Sequence, residues 1–256
     1  MKQNSKINIE PIKKTAYLLT QKLPFSVQEA YRSLRTNVMF ALPGSGCKCI
    51  GITSPTPGDG KSTTAANLAI SLAQIGKKVL LVDSDMRLPT IASKFRVKAI
   101  PGLSDFLVGQ AQIGDVIRTV ESCGLNILPS GNIPPDATGL LEGKQLESLF
   151  GAVREVYDYV IVDLPPVVTV PDAVIMSKYL DGFLLAVRER QTIHRAVKEM
   201  LRQLDLSGAN VIGFVLTGSD AGSSKYYKYR YGKKYGYGYR YKYYRYGGYG
   251  GHYSKK

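Results

Sequence analysis

Residues 49–76 read CIGITSPTPGDGKSTTAANLAISLAQIG, and this stretch decides the fold. It opens with a short apolar run at 49–53, which predicts a buried strand. After a glycine-rich turn, small and apolar residues recur at helical spacing, which predicts a helix over 62–76. A strand, a glycine-rich turn and a helix in this order are typical of a loop that binds phosphate groups.

The residue types in the turn suit phosphate binding. Glycines let the backbone direct its N–H groups at phosphate oxygens, and the positive end of the following helix faces the same oxygens. Lys61 is predicted to hold the β- and γ-phosphates, and the Ser62 hydroxyl to bind Mg²⁺. The strict pattern has glycine at position 55, where this chain has Pro55. The predicted nucleotide-binding residues are Pro57, Gly58, Asp59, Gly60, Lys61, Ser62 and Thr63.

Two more apolar runs end in carboxylates. Residues 78–82 precede Asp83 and Asp85, and residues 159–162 precede Asp163. In an open parallel sheet, ligands bind outside the carboxyl ends of the strands, so these side chains are expected beside the phosphate loop. An acidic residue that merely ends a strand or caps a helix is the alternative for each motif alone. Taken together, the motifs indicate phosphoryl transfer from a nucleoside triphosphate, or its hydrolysis.

Strands alternate with helices along the chain, which predicts an α/β fold with a mostly parallel sheet between two helical layers. This is the three-layer sandwich of P-loop nucleoside triphosphatases. We predict an N-terminal extension at 1–25, a P-loop domain at 26–217 and a disordered tyrosine-rich tail at 218–256. Predicted strands lie at 49–53, 78–82, 126–128, 159–162, 182–187 and 211–216, and predicted helices at 26–40, 62–76, 144–157 and 192–204.

The tail holds most of the charge. The 256-residue chain carries a net charge of +14, and residues 221–256 contain ten basic and no acidic residues, which leaves +4 (14 − 10) for the rest. Thirteen of the 18 tyrosines also lie there. Basic residues with interleaved aromatics also suit nucleic acid, so an ATPase with a nucleic-acid-binding tail is one alternative. Another is a structural role for the tail beside a degenerate nucleotide domain.

Other sequence features exclude several classes of protein. Three cysteines and two histidines show no metal-ligand spacing. The apolar runs are far shorter than the roughly 20 residues that a membrane span needs, and the N-terminus shows no signal peptide. The predicted helix at 26–40 starts with Ser26 as a candidate N-cap and Glu29 three residues later, the spacing of a capping box. Glu29, Arg32 and Arg35 share one side of that helix, either as a contact or as a solvated charged face.

Five stretches carry a family resemblance: PFSVQEAYRSLRTNV at 24–38, TSPTPGDGKST at 53–63, LLVDSDMRLPT at 80–90, LPSG at 128–131 with prolines at 134 and 135, and YVIVDLPPVVTVPDA at 159–173. With the tyrosine tail, they make the chain similar to bacterial tyrosine kinases of the capsule and exopolysaccharide type, in their cytosolic form. These kinases resemble the MinD/ParA group of P-loop ATPases. Thr56 stands where the MinD-like ATPases have lysine, which favours the kinase branch, and Thr217 stands where the family often has asparagine.

The resemblance implies an ATP- and Mg²⁺-dependent protein-tyrosine kinase whose catalytic residues are Lys61, Asp83, Asp85 and Asp163. From their chemistry we expect Ser62, Asp85 and Asp163 to shape the magnesium site. A phenol is a poor nucleophile without a base beside it, so Asp83, expected at the mouth of the site, is predicted to accept or orient the tyrosine proton. Further implications are a ring of identical subunits held partly by Glu29, Arg32 and Arg35, a membrane-spanning activator and a cognate phosphotyrosine phosphatase. The expected location is the cytoplasm, at the inner face of the cell membrane through the activator.

The tail tyrosines are the expected phosphate acceptors. The length of the tail would let it reach its own active site or a neighbour's, and the resemblance implies that it enters a neighbour's. Nucleic acid is not expected as a partner. The predicted acceptors are Tyr226, Tyr227, Tyr229, Tyr231, Tyr235, Tyr237, Tyr239, Tyr241, Tyr243, Tyr244, Tyr246, Tyr249 and Tyr253.

Overall fold

The computed structural model describes residues 18–20 and 23–219. The tyrosine tail and most of the N-terminal extension lie outside the described residues, so the predicted domain boundaries stay predictions. The strands are β1 (Lys48–Thr53), β2 (Val79–Asp83), β3 (Arg118–Val120), β4 (Leu125–Leu128), β5 (Tyr159–Asp163), β6 (Gly182–Arg188) and β7 (Val211–Thr217). The α-helices are α1 (Phe25–Ala41), α2 (Lys61–Ala73), α3 (Ile91–Phe95), α4 (Leu103–Leu107), α5 (Ile113–Val116), α6 (Ala137–Leu141), α7 (Lys144–Val156), α8 (Asp172–Met176) and α9 (His194–Leu206).

The seven strands form one sheet in the order β3-β4-β2-β5-β1-β6-β7. All neighbouring pairs are parallel except β3 with β4. The predicted α/β class and mostly parallel sheet are therefore confirmed. The sequence analysis missed β3, because its three residues are partly exposed and too few to show a periodic pattern.

Two hydrophobic cores fill the two faces of the sheet. On β2, Leu80 and Val82 belong to one core, while Val79 and Leu81 belong to the other. Strands covered on both faces carry continuous apolar runs, which is why the strands stood out in the sequence. Helices α1, α2 and α3 pack on the second core, and α7 and α9 on the first.

Helix α1 starts earlier than predicted and without the predicted cap. Its N-cap is Pro24, whose carbonyl accepts the backbone N–H groups of Val27 and Gln28. The capping-box prediction is wrong, because Ser26 already lies inside the first turn and Glu29 pairs with Arg32 instead. Proline has no N–H to satisfy, so it suits this boundary.

Part of the predicted N-terminal extension contacts the domain. Leu18 is buried in the core beside α2, and the Leu19 N–H donates to Asn67 Oδ1 at 2.8 Å. Within the described residues, no helix is both long and apolar enough to cross a membrane.

Candidate active site

The glycine-rich turn lies between the carboxyl end of β1 and the first residue of α2, as predicted. Gly58 and Gly60 have φ angles of +87° and +92°. Side chains are disfavoured in this left-handed region, and a Cβ on Gly60 would lie 3.2 Å from the Thr217 side chain. Both glycines are therefore required for the turn that leads the backbone into the N-terminus of α2.

The Asp59 side chain fixes the shape of the turn. Its Oδ2 accepts the Thr56 N–H at 3.0 Å and the Thr56 hydroxyl at 2.8 Å, and its Oδ1 accepts the Thr192 hydroxyl at 2.7 Å. The carboxylate is fully buried. Because its oxygens are committed to threonines, Asp59 supports the loop and would contribute backbone, not carboxylate, to nucleotide binding.

The ends of β6 and β7 hold the same turn from outside. The Thr217 hydroxyl donates to the Asp59 carbonyl oxygen at 2.6 Å, and Arg188 Nη1 donates to the Gly58 carbonyl oxygen at 3.0 Å. Sequence analysis noted Thr217 only as a departure from the family pattern and did not identify Arg188. These contacts join residues more than a hundred positions apart, so no local signal revealed them.

The predicted carboxylates meet the predicted lysine. Asp83 and Asp163 are direct neighbours in the register of β2 and β5. The Lys61 ammonium lies 2.7 Å from Asp85 Oδ2 and 3.5 Å from Asp163 Oδ1. All four side chains are buried, so their charges act on one another with little screening by water. The structure thus brings together the three motifs that the sequence predicted to cooperate.

Asp83 does not lie at the mouth of the site, where we expected it, but is fully buried. Its Oδ2 accepts the backbone N–H groups of Thr90 and Ile91 at 3.1 and 2.9 Å, which fixes α3 to the end of β2. Burial and the adjacent Asp163 raise the pKa of Asp83 to about 7. The carboxyl can therefore hold or release a proton near neutral pH, which suits a general base.

Asp163 is a buried carboxylate whose oxygens have no hydrogen-bond partner among the described residues. Burial raises its pKa, and the charge of the nearby Lys61 ammonium opposes that shift. Oxygens of this kind, beside the Ser62 hydroxyl and Asp85, fit a hard cation such as Mg²⁺. Among the described residues, no three His, Cys, Asp or Glu side chains are grouped so that they alone could hold a metal ion. A Mg²⁺ site typically combines one or two carboxylates with phosphates and water.

Two basic residues between β2 and the end of α3 make contacts that were not predicted from the sequence. Lys94 on α3 places its ammonium 3.3 Å from the Thr63 hydroxyl in the first turn of α2. Arg87 contacts the fully buried Asp172 at 3.3 Å and the Thr138 hydroxyl at 2.9 Å, which secures the segment after Asp85. Lys94 lies in a five-residue helix without an amphipathic pattern, so its position beside Thr63 could not be predicted before the fold was known.

The three charged residues of α1 have two different environments. Glu29 and Arg32 form an exposed ion pair on the helix surface. Arg35 instead donates to the Ser71 carbonyl oxygen at 2.8 Å and to its hydroxyl at 3.2 Å, which fixes α1 against α2. The predicted tyrosine acceptors lie outside the described residues.

Comparisons with known proteins agree with this geometry. The protein family described as AAA domain matches residues 47–206. The chain is 35% identical to tyrosine-protein kinase CpsD of Streptococcus agalactiae over 209 residues, 81% of this chain and 90% of that protein. The solved kinase domain of Escherichia coli tyrosine kinase ETK aligns with a TM-score of 0.76 and 29% identity, and the match covers 84% of this chain and 86% of that one. The septum site-determining protein MinD of Pyrococcus horikoshii shares the fold, with a TM-score of 0.57, 24% identity and coverage of 68% and 73%. The chain therefore belongs to the bacterial tyrosine-protein kinases, a family of enzymes with a P-loop fold.

Proposed function

We propose that this kinase transfers the γ-phosphoryl group of ATP to tyrosines of its own C-terminal cluster and thereby regulates the synthesis and export of a capsular polysaccharide or exopolysaccharide. The observation that carries the proposal is the convergence of Lys61, Asp83, Asp85 and Asp163 beside the glycine-rich turn. A phosphate-binding loop, a buried lysine and strand-end carboxylates are the parts that phosphoryl transfer requires.

Each side chain has a role that follows from its place. The backbone N–H groups of the turn and of the first turn of α2 bind the phosphates, and Lys61 stabilises negative charge on them. Ser62, Asp85 and Asp163 would hold Mg²⁺, which neutralises charge on the transferring phosphoryl group. Asp83 is the proposed acceptor of the tyrosine proton, because its Oδ1 has no hydrogen-bond partner among the described residues and its pKa of about 7 lies closer to neutrality than that of an ordinary carboxyl.

The tail supplies the acceptors at high local concentration, since thirteen tyrosines are covalently attached to the catalytic domain. Each phosphate adds about −1.5 to −2 charges at neutral pH. Roughly five to seven phosphotyrosines would therefore cancel the ten positive charges of residues 221–256. We propose that this loss of positive charge loosens the ring of subunits or its complex with the activator. Equal assembly states for the phosphorylated, unmodified and tail-less proteins would contradict it.

Subunit assembly is supported by the surface of α1. This 17-residue helix buries only Val38, and Phe25 and Phe40 on it are 73% and 80% exposed. Glu29 and Arg32 lie on the exposed surface and are free to meet a second subunit, whereas Arg35 already serves the contact with α2. A membrane-spanning activator and a phosphotyrosine phosphatase complete the proposed system. The activator would hold the enzyme at the inner face of the cell membrane.

The test is direct measurement of phosphate on the protein. Purified enzyme is incubated with Mg²⁺ and ATP, with and without the cytoplasmic segment of its activator, and its intact mass is recorded. A ladder of phosphates that maps to Tyr226–Tyr253 supports the proposal. ATP hydrolysis without any ladder, together with salt-sensitive DNA binding, would favour the ATPase with a nucleic-acid-binding tail.

Loss of the Thr217 hydroxyl should weaken nucleotide binding. Thr217→Val keeps the shape of the side chain but removes the 2.6 Å hydrogen bond to the Asp59 carbonyl oxygen. We expect a KM for ATP about tenfold higher, equivalent to about 1.4 kcal/mol, with kcat changed less than about twofold. Thr217→Ser retains the hydroxyl and should behave like the wild type. Steady-state kinetics of both variants decide the point, and equal KM values for valine and serine would refute it.

As pH rises, the activity should increase while the free energy of unfolding decreases. The pKa of Asp83 rises from 3.8 in the unfolded chain to about 7 in the folded protein. Because transfer needs the ionised carboxylate, kcat/KM should rise with pH through about 7. Between these two pKa values the folded protein keeps a proton that the unfolded chain has lost, so the free energy of unfolding falls as pH rises. Initial rates and urea unfolding across this range test both trends, and a flat rate profile would exclude Asp83 as the base.

A further inference from the structure

Lys94 is a half-buried lysine beside the phosphate loop. It lies on α3, three residues after Ile91, whose backbone N–H group donates to Asp83. Its ammonium donates to the Thr63 hydroxyl at 3.3 Å, and Thr63 is the third residue of α2, whose N-terminus faces the phosphate site. Lys94 is therefore held where a phosphate group would meet the first turn of α2.

The two lysines of the site differ in how their charge is balanced. Lys61 has Asp85 at 2.7 Å and Asp163 at 3.5 Å. Among residues 18–20 and 23–219, no carboxylate lies within 4.0 Å of the Lys94 ammonium, and its one hydrogen bond goes to a neutral hydroxyl. Partial burial of an ammonium without an anion is unfavourable, and burial lowers the pKa of Lys94 accordingly. An anionic ligand would therefore stabilise the Lys94 ammonium more than the Lys61 ammonium, which already has two carboxylate partners.

The charged side chains around Lys94 indicate where in the site an anionic ligand would bind. Asp163 and Asp83 act on Lys94 from the ends of β5 and β2, and Lys61 acts on it from the loop. Lys94 therefore belongs to the side of the site where Mg²⁺ and the attacking hydroxyl are proposed to bind. The opposite side, at the ends of β6 and β7, is occupied by the contacts of Thr217 and Arg188 with the loop.

We propose that Lys94 is a further catalytic residue, whose ammonium binds an oxygen of the phosphoryl group as it passes from ATP to tyrosine. The inference rests on the proposed kinase reaction. In that reaction the tyrosine oxygen forms a bond to the γ-phosphorus, and the bond from that phosphorus to the β,γ-bridging oxygen breaks. The bonding electrons leave with ADP, and the phenol proton goes to Asp83. Lys94 and Lys61 then stabilise the equatorial charge from two directions.

The test distinguishes binding of the transferring phosphoryl group from binding of the nucleotide. Wild type, Lys94→Met, Lys94→Arg and Lys98→Met are compared, since Lys98 is an exposed lysine of the same segment. For each protein, the affinity for Mg²⁺-ADP is measured with and without aluminium fluoride, which mimics the transferring phosphoryl group, and kcat and KM are determined for phosphate incorporation. Melting temperature reports on the fold.

We expect Lys94→Met to lower kcat about 10- to 100-fold and to weaken the aluminium fluoride complex by a similar factor, with ADP affinity within about twofold of wild type. Lys94→Arg should recover most of the loss, and Lys98→Met should show none. Unchanged kcat and unchanged aluminium fluoride affinity in Lys94→Met would overturn the proposal, as would an equal loss of ADP affinity and stability. If the wild type hydrolyses ATP without modifying tyrosine, the proposed function fails, whereas the aluminium fluoride measurement still tests Lys94.

Discussion

Lys61→Met is expected to lower the rate of phosphate incorporation about 100- to 1000-fold. The Lys61 ammonium can stabilise the negative charge on the β- and γ-phosphates throughout the transfer. Methionine has a side chain of similar length but carries no charge. Intact mass after incubation with Mg²⁺ and ATP gives the rate, and Lys98→Met is the matched control because Lys98 is exposed. A Lys61→Met variant with more than about a tenth of the wild-type rate would contradict the assignment.

The same substitution has a predictable effect on stability, which must be measured alongside. Lys61 is the ion-pair partner of Asp85 and Asp163, so its loss leaves buried carboxylates without a counter-charge. We expect Lys61→Met to melt at a lower temperature than wild type at neutral pH. The difference should shrink as pH falls, because protonation removes the uncompensated charge. Circular dichroism at the assay temperature then shows whether lost activity comes from lost chemistry or from lost fold.

The part of this site that could be predicted from the sequence was encoded locally. The turn at 57–63 carries its own chemistry, and Asp83, Asp85 and Asp163 directly follow apolar runs whose carboxyl ends must meet at one edge of a parallel sheet. The alternation of strands and helices predicts a parallel sheet, and the carboxyl ends of parallel strands lie at one edge. These two inferences were enough to predict that the motifs lie close together.

What the sequence left out depends on contacts between distant segments. Thr217 and Thr192 support Asp59 across separations of 158 and 133 residues, and Lys94 meets Thr63 across 31. Asp59 and Thr63 belong to the glycine-rich turn, but no pattern in the sequence links them to Thr217, Thr192 or Lys94. The burial of Asp83 was also mispredicted, because α3 was not foreseen and its N-terminal N–H groups cover the carboxylate.

Asp163→Asn is expected to abolish activity and to stabilise the protein. We expect the rate of phosphate incorporation to fall at least about 100-fold, because the amide removes a negative charge from the proposed magnesium site. We also expect the free energy of unfolding without nucleotide to rise by about 0.5–2 kcal/mol. The buried carboxylate accepts no hydrogen bond among the described residues, and its charge repels the adjacent Asp83, while the Lys61 ammonium lies 3.5 Å away. Lys61 keeps its closer partner, Asp85, at 2.7 Å.

Asp172→Asn provides the matched control for this prediction. Asp172 is equally buried, but its carboxylate accepts hydrogen bonds from the Thr138 hydroxyl at 2.9 Å and from Arg87 at 3.3 Å. Removing its charge should therefore destabilise the protein, since Arg87 loses its ionic partner. Urea unfolding of the two variants at neutral pH compares a buried aspartate that accepts hydrogen bonds with one that accepts none. If both variants are less stable than wild type, the negative charge of Asp163 does not destabilise the folded protein. Opposite signs would mean that the fold tolerates an unfavourable charge at Asp163 because the reaction requires it.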